Sequence, residues 1–234
     1  MSTQTYPQIR PKQLSFTPAT RLQQSFTAAA EKRTLVWLAE RTPRCINSDH
    51  LTLLGFVAQC LAGVCYALAR WNRYMLLLGI VFLALNWLGD SLDGTLARVR
   101  NCQRPRYGFY VDHIVDTFAA FFLMGGLALS GYINPAIAFG MLIGFLMLSI
   151  EAYLATYTLG QFQLSYWKFG PTEIRLLLAA GNLALLRWPT AKILGTQWRL
   201  LDVGGVIGIG GMALMLIVSA IQHTGTLYRE EKIS

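Results

Sequence analysis

Four aspartates stand where an apolar sequence should carry none. Asp90, Asp93, Asp112 and Asp116 lie inside or at the ends of two long apolar runs. A charged side chain at the centre of a bilayer costs at least ~2.5–3.5 kcal/mol, so four carboxylates together demand compensation. Their spacing supplies a purpose. Asp90, Asp93, Gly94, Ala97 and Arg98 stand at i, i+3, i+4, i+7 and i+8, one face of a helix. Gly108, Asp112 and Asp116 stand at i, i+4 and i+8, again one face. Two antiparallel helices joined by a short loop bring these faces together. Carboxylates converging in a low dielectric stay ionised only beside cations, and hard oxygen ligands select Mg²⁺, Mn²⁺ or Ca²⁺. Arg98 beside such a cluster reads as a phosphate clamp. The small residues Gly94, Ala97 and Gly108 let helices or a ligand approach closely. The competing reading is polar glue between helices with an Arg–Asp salt bridge, but glue needs one or two polar groups rather than four acids on matched faces.

The elements that position these residues are membrane spans. Of 234 residues, 54% are hydrophobic and 14% charged, with mean hydropathy +0.41. Soluble domains carry about 25% charged residues, so a water-soluble enzyme is disfavoured. Six apolar blocks, near 51–69, 74–97, 108–129, 132–158, 172–187 and 200–222, approach the ~20 residues needed to cross a hydrocarbon core, the fifth being short. Residues 27–42 (TAAAEKRTLVWLAERT) set Leu35, Trp37 and Leu38 among charges and suit a helix lying on the membrane surface. The first ~25 residues are polar, unlike a cleavable signal peptide. The predicted fold class is therefore all-α integral membrane, with six transmembrane helices and an N-terminal interfacial amphipathic helix. Its divisions are an N-terminal segment over 1–45, a membrane domain over 46–224 and a tail over 225–234. Cys45, Cys60, Cys65 and Cys102 lack metal-ligand spacing and read as small thiols.

Charge orients the spans. With a cytoplasmic N-terminus, 15 of the 20 Lys and Arg fall inside, including Arg10, Lys12, Lys168, Arg175 and Lys232, and five fall outside. That bias follows the positive-inside rule and makes both termini cytoplasmic. It also accounts for the net charge of +8 without nucleic acid, and directs the basic surface to membrane lipids.

The stretch from Asp90 to Arg98 and from Gly108 to Asp116, D-x-x-D-G-x-x-A-R followed by G-x-x-x-D-x-x-x-D, resembles the signature of the CDP-alcohol phosphotransferases, with all eight signature residues present. The spacer, Val99 to Tyr107, has nine residues where that family usually has eight. The resemblance implies six spans with both termini cytoplasmic. It implies that Asp90, Asp93, Asp112 and Asp116 hold one or two divalent ions, Mg²⁺ or Mn²⁺, bridging the CDP pyrophosphate. Gly94, Ala97, Arg98 and Gly108 would line the CMP part. An acceptor hydroxyl then attacks the β-phosphorus near the cytoplasmic face, and CMP leaves. A homodimer is the usual state among such proteins.

Two residues compete for the general base. The resemblance points to Asp116, but a metal-bound carboxylate is a weak base. His113 has an ordinary pKa nearer seven and lies about 60° from Asp116 around the helix; it is a base, a donor orienting Asp112, or packing. Glu151, an acid within the fourth block, and Glu173, opening the fifth after Gly170-Pro171-Thr172, suit an ammonium head group. Glu173 equally suits a helix N-terminus. Asn86 contacts nucleotide or packs helices. Thr52 falls where the resemblance puts a cytidine-side threonine, though Asp49 as a helix cap explains that stretch as well. His50 reads as interfacial packing and His223 as solvent-facing.

The expected function is thus an integral membrane phosphotransferase of phospholipid synthesis. The Asp112-His113 pair and the Gly170–Glu173 run are similar to the choline and ethanolamine branch, with a lipid alcohol as acceptor. The alternative is a CDP-diacylglycerol donor and a small polar alcohol. Two readings of another class remain: a divalent-cation transporter, which Arg98 disfavours, and an inactive relative, which the complete signature disfavours.

Overall fold

The computed structural model describes residues 20–22, 28–163, 170–193 and 195–231. Arg10, Lys12, Lys168 and Lys232 of the charge count lie outside them. Seven helices carry the architecture: α1 (Ala28–Arg41), α2 (Ser48–Leu68), α3 (Met75–Val99), α4 (Pro105–Leu129), α5 (Pro135–Leu159), α6 (Pro171–Arg187) and α7 (Leu200–Glu230). Four short strands accompany them and were not expected from the sequence. Thr20–Leu22 (β1) pairs in parallel with Gln161–Gln163 (β2), and Thr190–Ile193 (β3) pairs antiparallel with Thr196–Arg199 (β4) between α6 and α7.

Among the described residues five helices, α2 to α5 and α7, are long and apolar enough to cross a membrane. The fifth block becomes α6, whose 17 residues rise only about 26 Å. The last block extends as helix to Glu230, because a helix leaving an apolar layer continues in water when its polar residues tolerate helical geometry.

Helix starts follow ordinary chemistry. Proline occupies the first turn of α4, α5 and α6, where a missing N–H costs nothing. Asn47, rather than Asp49, caps α2: its Oδ1 accepts from the His50 amide (3.0 Å), while His50 Nδ1 accepts from the Asn47 amide (3.4 Å). Asn47 precedes the first helical residue, and only there can a side chain reach the free amides.

Glycines bring α2 against its two neighbours. A Cβ on Gly89 of α3 would lie 2.5 Å from the Gly55 nitrogen of α2, and one on Gly126 of α4 would meet the Gly63 carbonyl of α2. Tyr66, Leu76, Leu83, Leu123, Leu127 and Ile133 form the core beyond these crossings. Within it Tyr66 donates to Asn182 Oδ1 (2.9 Å), tying α2 to α6. A second cluster, Leu35 and Ala39 of α1 with Leu51, Leu92 and Leu96, docks α1 near the C-terminal end of α3. Leu53, Leu61, Phe121, Ile143 and Leu176 face outward, as a lipid solvent requires. Asp90, Asp93, Asp112, Asp116 and Arg175 lie towards the end of the bundle where α3 finishes and α2, α4 and α6 begin.

Candidate active site

Asp90 of α3 and Asp112 and Asp116 of α4 each offer an oxygen, and these oxygens lie within 4.8 Å of one another. The close α2–α3 crossing puts the α2 backbone against the turn that carries Asp90, and Thr52, Gly55 and Asn86 line the same small pocket. Asp93 also lines it but is held differently. Its Oδ2 accepts from Thr52 Oγ1 (2.6 Å), its Oδ1 from the Gly94 amide, and its carbonyl from Ser48 Oγ (2.7 Å). The structure therefore gathers three of the four signature aspartates and ties the fourth to α2.

A cation reaches this cluster from α6. Arg175 Nη2 donates to Asp90 Oδ2 (2.5 Å), and its Nε donates to Asn86 Oδ1 (2.8 Å). The other end of Asn86 donates to the Gly55 carbonyl (3.0 Å). Three converging carboxylates in a half-buried place repel one another, a setting that favours a hard cation. Three carboxylate oxygens in mutual reach fit a divalent ion.

A family model described as CDP-alcohol phosphatidyltransferase matches residues 46–219, from just before α2 into α7. The chain belongs to the CDP-alcohol phosphatidyltransferase family. No curated protein sequence matches it significantly. Members of this family transfer phosphate-containing groups in phospholipid synthesis and generally depend on a divalent metal. The three-aspartate cluster offers such an ion a place, and the apolar helices agree with a multi-pass membrane protein.

The other residues of the family signature stand on the same two helices. Arg98 Nη2 donates to Thr95 Oγ1 (2.9 Å), and its Nη1 is the first neighbour that a Cβ on Gly94 would meet, at 3.5 Å. Ala97 is half-buried, and Gly108 has open space where a side chain would stand. The nine-residue spacer closes through Asn101 at φ 53°, a left-handed conformation that asparagine tolerates. Arg100 fastens this loop by donating to the Thr42, Pro43 and Ile46 carbonyls, and Arg104 pairs with Asp49.

His113 Nδ1 lies 2.5 Å from the Phe109 carbonyl. A carbonyl only accepts, so Nδ1 carries the hydrogen and, in the neutral ring, Nε2 carries the lone pair. The ring packs against Phe109 (centroids 4.2 Å) and the edge of Tyr153 from α5 (5.0 Å).

Neither glutamate is among the described residues that line the small pocket. Glu173 is buried and its Oε2 accepts from the Gly170 amide (2.9 Å), the one half of a capping box that a glycine at the N-cap allows. Glu151 Oε1 meets His223 Nδ1 of α7 at 2.5 Å, on a direction about 200° around α5 from Tyr153. His223 is thus a partner of Glu151 rather than a solvent-facing residue. Asn86 is a packing amide and a holder of Arg175 at once. The sequence offers Arg175 both as a charge in the topology count and, with Arg98, Arg100, Arg104, Arg106 and Lys168, as a cation near the carboxylates for an anionic acceptor, but its reach to Asp90 lies in no local pattern. The signal that could have found it is a cation two residues past Glu173 inside an apolar block.

Proposed function

We propose that this protein transfers a phospho-alcohol from a CDP-alcohol to an acceptor hydroxyl and releases CMP. The observation that carries the reading is the convergence of Asp90, Asp112 and Asp116 with Arg175 at one end of the bundle. In this reading that end is cytoplasmic, α6 completes six crossings, both termini are cytoplasmic, and the protein is a homodimer. Asp90, Asp112 and Asp116, with Asp93 beside them, hold one or two Mg²⁺ or Mn²⁺ ions. Such ions, when bound, neutralise the pyrophosphate and the charge that develops in transfer.

The chain's own residues do the rest. Gly94, Ala97 and Gly108 leave room for the CMP part, and Arg98 contributes a cation towards its phosphate. His113 is the general base: the Phe109 carbonyl fixes its tautomer, which turns a basic Nε2 outward from its own backbone. The acceptor oxygen loses its proton to Nε2 as it bonds to the β-phosphorus, and the bond from that phosphorus to CMP breaks with its electron pair. Asp116 stays with the metal, since a carboxylate that neutralises a cation is a poor proton acceptor.

The donor in this reading is CDP-choline- or CDP-ethanolamine-like and the acceptor a lipid alcohol, as the Asp112-His113 pair and the Gly170–Glu173 run suggest. A second assignment has an observation in its favour. Glu151 and Glu173, the acids offered for an ammonium, are engaged with His223 and with Gly170, while Arg175 places a cation at the cluster as an anionic polar acceptor requires. The deciding experiment offers the purified protein CDP-ethanolamine, CDP-choline and CDP-diacylglycerol with matching acceptors and measures CMP. Release with an aminoalcohol donor alone supports the first assignment, and release with CDP-diacylglycerol alone reverses it. No release with any donor removes the transferase reading.

A further inference from the structure

Glu31 belongs to α1, which precedes the matched residues 46–219, so the family signature says nothing of it. It shares the inward face of that helix with Leu35 and Ala39, at i, i+4 and i+8, while Trp37 lies on the outer face with the Arg41 guanidinium stacked over its ring at 4.3 Å. An acid on the apolar stripe of an amphipathic helix needs partners, and Glu31 finds three on two other helices. Its Oε1 accepts from Trp87 Nε1 (2.9 Å) and Ser91 Oγ (3.2 Å) of α3 and from Thr172 Oγ1 (2.9 Å) of α6. Its Oε2 is buried and has no hydrogen-bond partner among the described residues.

These partners are neighbours of the site. Ser91 follows Asp90 directly, and Trp87 follows Asn86. Thr172 lies three residues, just under one turn, before Arg175. Helices α3 and α6 are therefore joined by two adjacent layers: Arg175 on Asn86 and Asp90, and Glu31 on Trp87, Ser91 and Thr172. The arginine layer contains a long flexible side chain that can follow a shifting helix. The glutamate layer is short and takes a donor from each helix, so it sets how the first turn of α6 lies along α3. The unpartnered Oε2 offsets part of what the three bonds contribute to stability. The link is thus better suited to fixing geometry than to holding the fold.

We propose that Glu31 is a positioning residue for the carboxylate site: it fixes the first turn of α6 against α3 and so holds the Arg175 guanidinium on Asp90. The inference rests on reading Asp90, Asp112 and Asp116 as a divalent-ion site. It makes α1, a helix outside the matched residues, part of what sets that site's charge.

The test measures Mn²⁺ binding to the full-length protein in detergent by electron paramagnetic resonance, alongside CMP release and thermal midpoint. A residue acting through Arg175 gives non-additive effects with it. Glu31→Ala should change Mn²⁺ affinity about threefold or more in the wild-type background and less than about 1.5-fold in the Arg175→Ala background. Its kcat should fall while the KM for the CDP-alcohol holds. Leu35→Ala, which loosens α1 without touching the carboxylate, should lower the thermal midpoint and leave Mn²⁺ affinity within about 1.5-fold. Should Glu31→Ala not fold, Glu31→Gln keeps the shape, removes the charge and is held to the same comparison. Equal shifts in both backgrounds mean a direct charge effect or general loosening and overturn the proposal, as does no shift at all. Absence of saturable Mn²⁺ binding in the wild-type protein overturns the ion-site reading, and this inference with it.

Discussion

At the α3–α4 end of the bundle three carboxylates converge on one another beside an arginine, whereas Glu151 and Glu173 are each held by a contact of their own. Glu151 meets His223 across α5 and α7, and Glu173 closes the first turn of its own helix. Both groups are acids in or beside apolar helices, and from the sequence both are expensive and suggestive. The difference lies in what surrounds them. Carboxylates brought within 4.8 Å of one another repel and favour a cation between them. Convergence of acids, rather than their number, marks the candidate site.

The comparison breaks most readily at the cluster. Asp112→Asn, or chelation of divalent ions, should abolish turnover, and CMP release above a tenth of wild type in the variant would sink the cluster as the site. His113→Gln comes next, with a loss of roughly 10²–10⁴-fold in kcat and little change in CDP-alcohol affinity. A loss below about threefold returns the base to Asp116. Glu151→Gln probes the other side of the contrast. It should change kcat less than about threefold yet destabilise the α5–α7 contact, and adding His223→Gln should recover part of the loss because two glutamine amides can hydrogen-bond across the helices. A large kcat loss with unchanged stability would move Glu151 into the site. Glu173→Ala should cost about 0.5–2 kcal/mol of stability, the range for a lost helix cap, read as a lower thermal midpoint. Smallest of all, Arg104→Ala should leave both stability and turnover within error, since its pair with Asp49 is exposed to solvent.

Much of this architecture was legible. Helical spacing put Asp90 with Asp93 and Asp112 with Asp116 on common faces, and the apolar blocks located α2 to α5 within a few residues. Both are local properties of 3.6-residue periodicity. What escaped were relations between distant segments. Thr52 and Ser48 of α2 hydrogen-bond Asp93 where it lines the pocket with the other three aspartates, a contact across helices that no spacing within α3 reveals. The cap on α2 fell to Asn47 rather than Asp49 because the helix starts at Ser48, and a boundary shift of one turn reassigns every capping role.

The amino-acid sequence by itself determined that this chain is a membrane protein of apolar helices, and which two helical faces carry its carboxylates. Composition and period act over one helix at a time, so nothing further along the chain could alter them. Only the tertiary structure decided which charges meet. It brought Arg175 to Asp90 across 85 residues, His223 to Glu151 across 72, and Glu31 to Thr172 across 141. Each meeting depends on how helices are laid side by side by close glycine contacts and docked apolar faces, and a Coulomb or hydrogen-bond partner is set by distance in space rather than along the chain.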